Sequence, residues 1–131
     1  MGYSIATLDD LGEGYGFRKV RKALNVTAFG VNGLVFPPRH EGPNHFHDTQ
    51  DELYFVHRGT ATFVFDDGEH VVPAGGLVHV ESTTHRMVAN RTDEDLVLLV
   101  IGGKGGYVER DGQVVTDADL EKRRAMARWQ S

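Results

Sequence analysis

Over most of this chain the apolar residues come in short runs without a helical period. Seven β-type runs stand out, at 28–36, 52–57, 60–65, 70–72, 77–81, 85–89 and 96–101. Between them lie turn formers: Pro37-Pro38, Arg58-Gly59, Asp66-Asp67-Gly68, Ala74-Gly75-Gly76 and Asn90-Arg91-Thr92-Asp93. Short strands at this density predict an all-β sandwich or barrel. Asp67-Gly68, followed by Glu69-His70-Val71-Val72, predicts a hairpin. Helical spacing is confined to the two ends. Phe17, Val20 and Leu24 mark a turn or two over 18–24, with Arg18, Lys19, Arg21 and Lys22 as its wet face. Thr116 or Asp117 caps a second helix over about 117–129. Its acids come early and Arg123, Arg124 and Arg128 late, as the helix dipole favours. Leu120 and Trp129 are placed to pin this helix to the barrel or to a neighbouring subunit.

Composition narrows the picture. The 131 residues make one domain's worth of chain. Sixteen glycines suit a protein with many tight turns. There is no cysteine, so disulfides, thiolate metal sites and a cysteine nucleophile are excluded. The net charge is −5, from 19 acids against 14 bases, which argues against a nucleic-acid binder. The longest apolar run, Leu96 to Ile101, is far short of the roughly 20 residues that span a bilayer. The first residues lack the pattern of a signal peptide. A cytoplasmic protein with no membrane partner is therefore expected.

Seven histidines then draw attention, and two of them are His45 and His47. On an extended chain residues i and i+2 point to the same side, so these two imidazoles can aim at one point. Glu52 opens the next strand and can return beside them. Two imidazoles and a carboxylate on one face suit a single divalent transition metal: Fe, Mn, Zn, Ni or Co.

From His45 to Gly59 the chain reads His-Phe-His-Asp-Thr-Gln-Asp-Glu-Leu-Tyr-Phe-Val-His-Arg-Gly. This resembles the first motif of the cupin superfamily: two histidines one residue apart, three or four residues, a glutamate, six residues, a glycine. Four residues separate His47 from Glu52 here, and six separate Glu52 from Gly59. The family's glycine six positions before the first histidine is replaced by Arg39, and Gly42 offers itself for that turn. The second motif is degraded. His85, followed by Asn90 and then an apolar strand, reproduces its order best. Pro73-Ala74-Gly75 followed by His79 is the weaker alternative.

The resemblance covers about residues 28–102. It implies a cupin jelly-roll barrel, a double-stranded β-helix with short terminal helices, forming one cupin domain over residues 1–131. It implies His45, His47, Glu52 and, as fourth metal ligand, His85, with His79 as alternative. By alternation Tyr54 lies on the face of Glu52, and Met87 on that of His85, so both are candidate pocket walls. Tyr54 is the one candidate catalytic residue. His40 is a candidate for the pocket mouth; His57 and His70 read as solvated. The resemblance further implies a small-molecule ligand, a homodimer, and a metal-dependent enzyme of dioxygenase or isomerase type on a small oxygen-rich molecule. A non-catalytic sensor or binding cupin is the alternative.

Overall fold

A computed structural model of the chain describes residues 2–129. The strands are β1 (Gly16–Arg18), β2 (Gly30–Phe36), β3 (His40–Glu41), β4 (His45–His47), β5 (Asp51–Arg58), β6 (Thr60–Phe65), β7 (Gly68–Pro73), β8 (Leu77–Val80), β9 (Met87–Asn90), β10 (Leu96–Gly103) and β11 (Gly112–Val114). A short helix α1 (Val20–Ala23) follows β1, and α2 (Asp117–Arg128) closes the chain. Five strands form one antiparallel sheet in the order β1-β2-β10-β5-β8, and four form another in the order β3-β9-β6-β7. A third, two-stranded sheet pairs β11 with β4.

Leu34, Phe36, Tyr54, Val56, Val80, Leu96 and Leu98 come from the large sheet and meet Ala61, Phe63 and Val88 from the four-stranded one in a shared core. Burying these side chains supplies the main driving force, at about 25 cal/mol per Å² of apolar surface. The architecture is the all-β jelly-roll barrel with short terminal helices that the patterning and motifs imply. Most strands fall where the apolar runs place them. The hairpin turn comes one residue early: Phe65 pairs with Gly68, so Asp66 and Asp67 make the turn. Strand β11 escaped the sequence pattern because three residues carry no period. Arg18, expected on a wet helical face, ends β1 instead. It is buried there, and its Nη2 donates to the Gly14 carbonyl at 2.7 Å.

Two turns show what the motif glycines are for. Gly59 has φ 83°, and a Cβ there would collide with the Asp95 carbonyl. Arg39, standing where the family has glycine, is itself left-handed, with φ 58°. A Cβ in that region costs roughly 1–2 kcal/mol. Local bonds offset it: Arg39 Nε donates to Asp93 at 2.9 Å, Nη1 to the Arg91 carbonyl at 2.7 Å, and its amide to the Thr92 carbonyl at 3.1 Å. Arg39 thus makes the turn that Gly42 was expected to serve.

Helix α2 starts with a reciprocal capping box: Thr116 Oγ1 accepts from the Asp119 amide, and Asp119 accepts from the Thr116 amide. Met126 enters the barrel core and Trp129 packs against it, so α2 is committed to its own barrel. The Trp129 and Phe36 rings hold His40 edge-on, each 4.8 Å from it between centroids, which makes His40 part of this packing rather than of a pocket mouth. Asp119 also accepts from the Asn44 amide at 2.9 Å, tying α2 to the chain just before His45. Burial works against the Asp119 charge, but the Asn44 amide and the Thr116 hydroxyl and amide outweigh it and lower its pKa. Asp119→Ala should therefore lower unfolding free energy by about 1–3 kcal/mol, the cost of stranding such donors. A carboxyl with a depressed folded pKa stabilises above its unfolded pKa and loses that contribution as pH falls. In urea unfolding the deficit should be full at pH 7 and shrink below about pH 4.

Candidate metal centre

Strand β4 is three residues long, and its alternation does what the spacing requires. His45 and His47 face inward, while Phe46 faces out and stacks on His85, with 4.9 Å between ring centroids. Glu52 enters from β5 on the same inward face as Tyr54 and Val56. The ligand atoms of His45, His47 and Glu52 all lie within 4.8 Å of one another. His47 Nε2 is 3.2 Å from Glu52 Oε1, and His45 Nε2 is 3.9 Å from it.

The far side of each ring is held. His45 Nδ1 lies 3.1 Å from the Pro43 carbonyl. A carbonyl can only accept, so Nδ1 carries a hydrogen and Nε2 is the ring nitrogen turned inward, to Glu52 or to a cation. His47 Nδ1 lies 2.8 Å from Asp111 Oδ1 and 3.0 Å from the side-chain Nε2 of Gln50. Asp111 is itself fixed by the amides of Thr49 and Gln50, at 2.7 and 3.0 Å. This carboxylate–histidine arrangement sets ring orientation and tautomer, as around bound metals. The donor set of two imidazole nitrogens and one carboxylate oxygen fits a divalent transition metal.

Electrostatics bind the group together. Burial pushes the Glu52 carboxyl up, but bonds from His45, His47 and Tyr54 outweigh it and hold its pKa far below the usual carboxylate range. Burial disfavours a charged His47, yet Glu52 and Asp111 together raise its pKa. Tyr54 is buried, and its hydroxyl donates to Glu52 Oε1 at 2.6 Å. Burial first, then the Glu52 charge, push its pKa well above that of free tyrosine. Its proton thus serves the ligand carboxylate, in the core rather than on a pocket wall.

The structure does not bring His85 or His79 to this group. Segment 82–86 lies against the free edge of β4. His45 and Arg86 form a reciprocal bridge, each amide donating to the other's carbonyl at 2.9 Å. Direct cross-strand neighbours share a face, so Arg86 turns inward and His85 outward with Phe46. His79 pairs with Leu53, which points away from the face of Glu52. Met87 shares the outward face of His85; Val88 takes the core position. His57 and His70 are exposed, as expected.

Arg86 is the residue the motif comparison passed over. It is 0 % exposed, and its Nη2 lies 3.3 Å from Glu52 Oε1. Only the register of 82–86 against β4 reveals it. Asp111 lies beyond the motif region, and it reaches His47 only through the pairing of β11 with β4.

Asp111→Asn should weaken metal affinity by about 10- to 100-fold, the usual effect of losing such a partner. Competitive titration with a chromogenic chelator measures it. His85→Ala should leave metal content unchanged, whereas His45→Ala with His47→Ala should abolish it; elemental analysis of the purified variants decides. Stoichiometric metal in the double variant would remove the assignment.

A search of curated proteins gave no match. Solved structures with the same fold are many. One is a sugar phosphate isomerase from a cupin superfamily, from Silicibacter pomeroyi, 27% identical, with TM-score 0.65 over 78% of this chain and 68% of that one. A cupin protein from Bacteroides fragilis is 19% identical, with TM-score 0.68 over 89% and 95%. A Cupin 2 conserved barrel domain protein from Salinispora arenicola is 21% identical, with TM-score 0.64 over 77% and 88%. The last two speak for the fold alone. The cupin-domain family model matches residues 34–102, more than half of the chain and all of the first motif, so this protein belongs to the cupin family.

Proposed function

We propose that this cupin is a metal-dependent enzyme that isomerises a small oxygen-rich organic molecule. The observation that carries the reading is the convergence of His45 Nε2 and His47 Nε2 on Glu52, with each ring anchored at Nδ1. A divalent ion bound there supplies Lewis acidity toward a carbonyl or hydroxyl oxygen. The chain's own residues do the rest. His45, His47 and Glu52 would hold the ion, Asp111 and Pro43 orient the rings, and Tyr54 keeps Glu52 in place. Three protein donors leave coordination positions open, since Fe, Mn and Ni commonly take six. The likeness to a sugar phosphate isomerase supports isomerisation over oxygen chemistry.

The reading extends to a homodimer. Its support is the exposed apolar surface at Tyr3, Ile5 and Leu77, at 79, 86 and 64%. Light scattering should give near twice the 14.5 kDa chain mass. The described helices include none long and apolar enough to cross a membrane.

To test the activity, the metal-loaded protein is incubated in D2O with a panel of small aldose and ketose phosphates. Proton NMR should show exchange of a carbon-bound hydrogen beside a carbonyl, lost in His45→Ala. Oxygen uptake without such exchange would point to a dioxygenase, and neither result, with metal bound, to a binding module.

A further inference from the structure

Arg86 is anomalous for an interior side chain. It has no exposure, yet its Nε and Nη2 make no hydrogen bond. Its Nη1 is fully used, donating to the Ser82 and Thr84 carbonyls at 3.0 and 2.8 Å. The guanidinium is thereby clamped, and the two nitrogens without a hydrogen bond form one edge of its planar fork. That edge presents two parallel N–H groups, which matches a pair of oxyanion oxygens. Glu52 Oε1 is near enough for charge attraction, at 3.3 Å from Nη2, but it is already engaged by Tyr54 and the two histidines.

We propose that Arg86 makes this an oxyanion site: the ligand's anionic group docks on the Nε/Nη2 edge of Arg86 while a neighbouring oxygen reaches the ion held by His45, His47 and Glu52. This rests on the metal reading above and names its substrate class. Charge supports it. With a divalent ion in place, Arg86 adds one positive charge, against one negative each from Glu52 and Asp111. The loaded centre is left with a net positive charge in a buried setting, where an unpaired charge is costly. An anionic ligand cancels it. His45 marks the side of approach: its side chain is 24% exposed against 10% for His47 and Glu52, and it is the direct cross-strand neighbour of Arg86. The Arg86 nitrogens are themselves sealed from solvent, so a ligand reaches their edge only as the side chains over it give way.

The test uses calorimetry on Mn2+-loaded protein with three probes: oxalate, its neutral isostere oxamide, and inorganic phosphate. Oxalate should bind and oxamide should not. Arg86→Gln should weaken oxalate binding by about 10- to 100-fold, while Mn2+ affinity stays the same or rises, because a positive neighbour is gone. Arg86→Lys, which keeps the charge but not the fork, should fall between. Phosphate binding comparable to oxalate would assign the site to tetrahedral oxyanions, weaker binding to carboxylates; both support an oxyanion site. Mn2+ by itself prefers oxalate to oxamide, so that comparison reports first on the ion; because Arg86 is buried and the Gln variant can fail to fold, the charge-keeping Arg86→Lys variant carries the reading on the fork. Equal binding of the two, or variants that keep full oxalate affinity, would overturn the oxyanion site and leave Arg86 as a counter-charge for Glu52. A wild type that takes up no Mn2+ would overturn the metal reading itself, and this one with it.

Discussion

Glu52 puts an ionised carboxylate inside a barrel whose next inward residues on the same strand are Tyr54 and Val56. Left alone there it would cost several kcal/mol. Oxygen Oε1 instead collects the Tyr54 hydroxyl, His47 and His45 nitrogens and the Arg86 guanidinium, drawn from β5, β4 and the segment before β9. Two of these partners are in turn held by backbone carbonyls, His45 by Pro43 and Arg86 by Ser82 and Thr84, and His47 is held by the Asp111 side chain. The barrel's polar end is organised around satisfying this one charge. The same arrangement leaves ring nitrogens converging where a cation can sit.

A second layer of support comes from residues beyond the family match. Strand β11 pairs with β4 in the register Gly112 to His47 and Val114 to His45. Asp111, at its start, orients His47, and Asp119, in the first turn of α2, fixes the amide of Asn44. The C-terminal segment therefore serves the site as much as the fold. Met126 and Trp129 press α2 onto the barrel and hold β11 in reach of β4. Apolar burial at one end of the helix thus sustains polar geometry at the other.

The departures from the family motif have different physical weights. Arg39 replaces a glycine and the chain still makes the left-handed turn, because three hydrogen bonds at the surface compensate for the Cβ. The degraded second motif has a larger consequence. Its histidine, His85, is displaced by one residue from the inward position. Since side chains alternate, that single step exchanges an imidazole for a guanidinium at the centre. Among the described residues the cluster offers three candidate donors beside a fixed positive charge, rather than four.

Local rules made the sequence legible where the information is itself local. Alternation and turn residues located the main strands, the 3.6 period located α2, and the spacing of His45, His47 and Glu52 marked the donors, since i and i+2 share a face on any strand. None of this depends on what the strand lies against. The roles of Arg86, Asp111 and Tyr54 do. Arg86 faces inward because His45 bridges to it, Asp111 reaches His47 because β11 pairs with β4, and Tyr54 gives its hydroxyl to Glu52 because both are sealed in one core. Cross-strand register joins residues 41 and 64 positions apart in the chain, and no local pattern encodes such a pairing. The candidate donors were therefore set by sequence spacing, and the charge around them by tertiary packing.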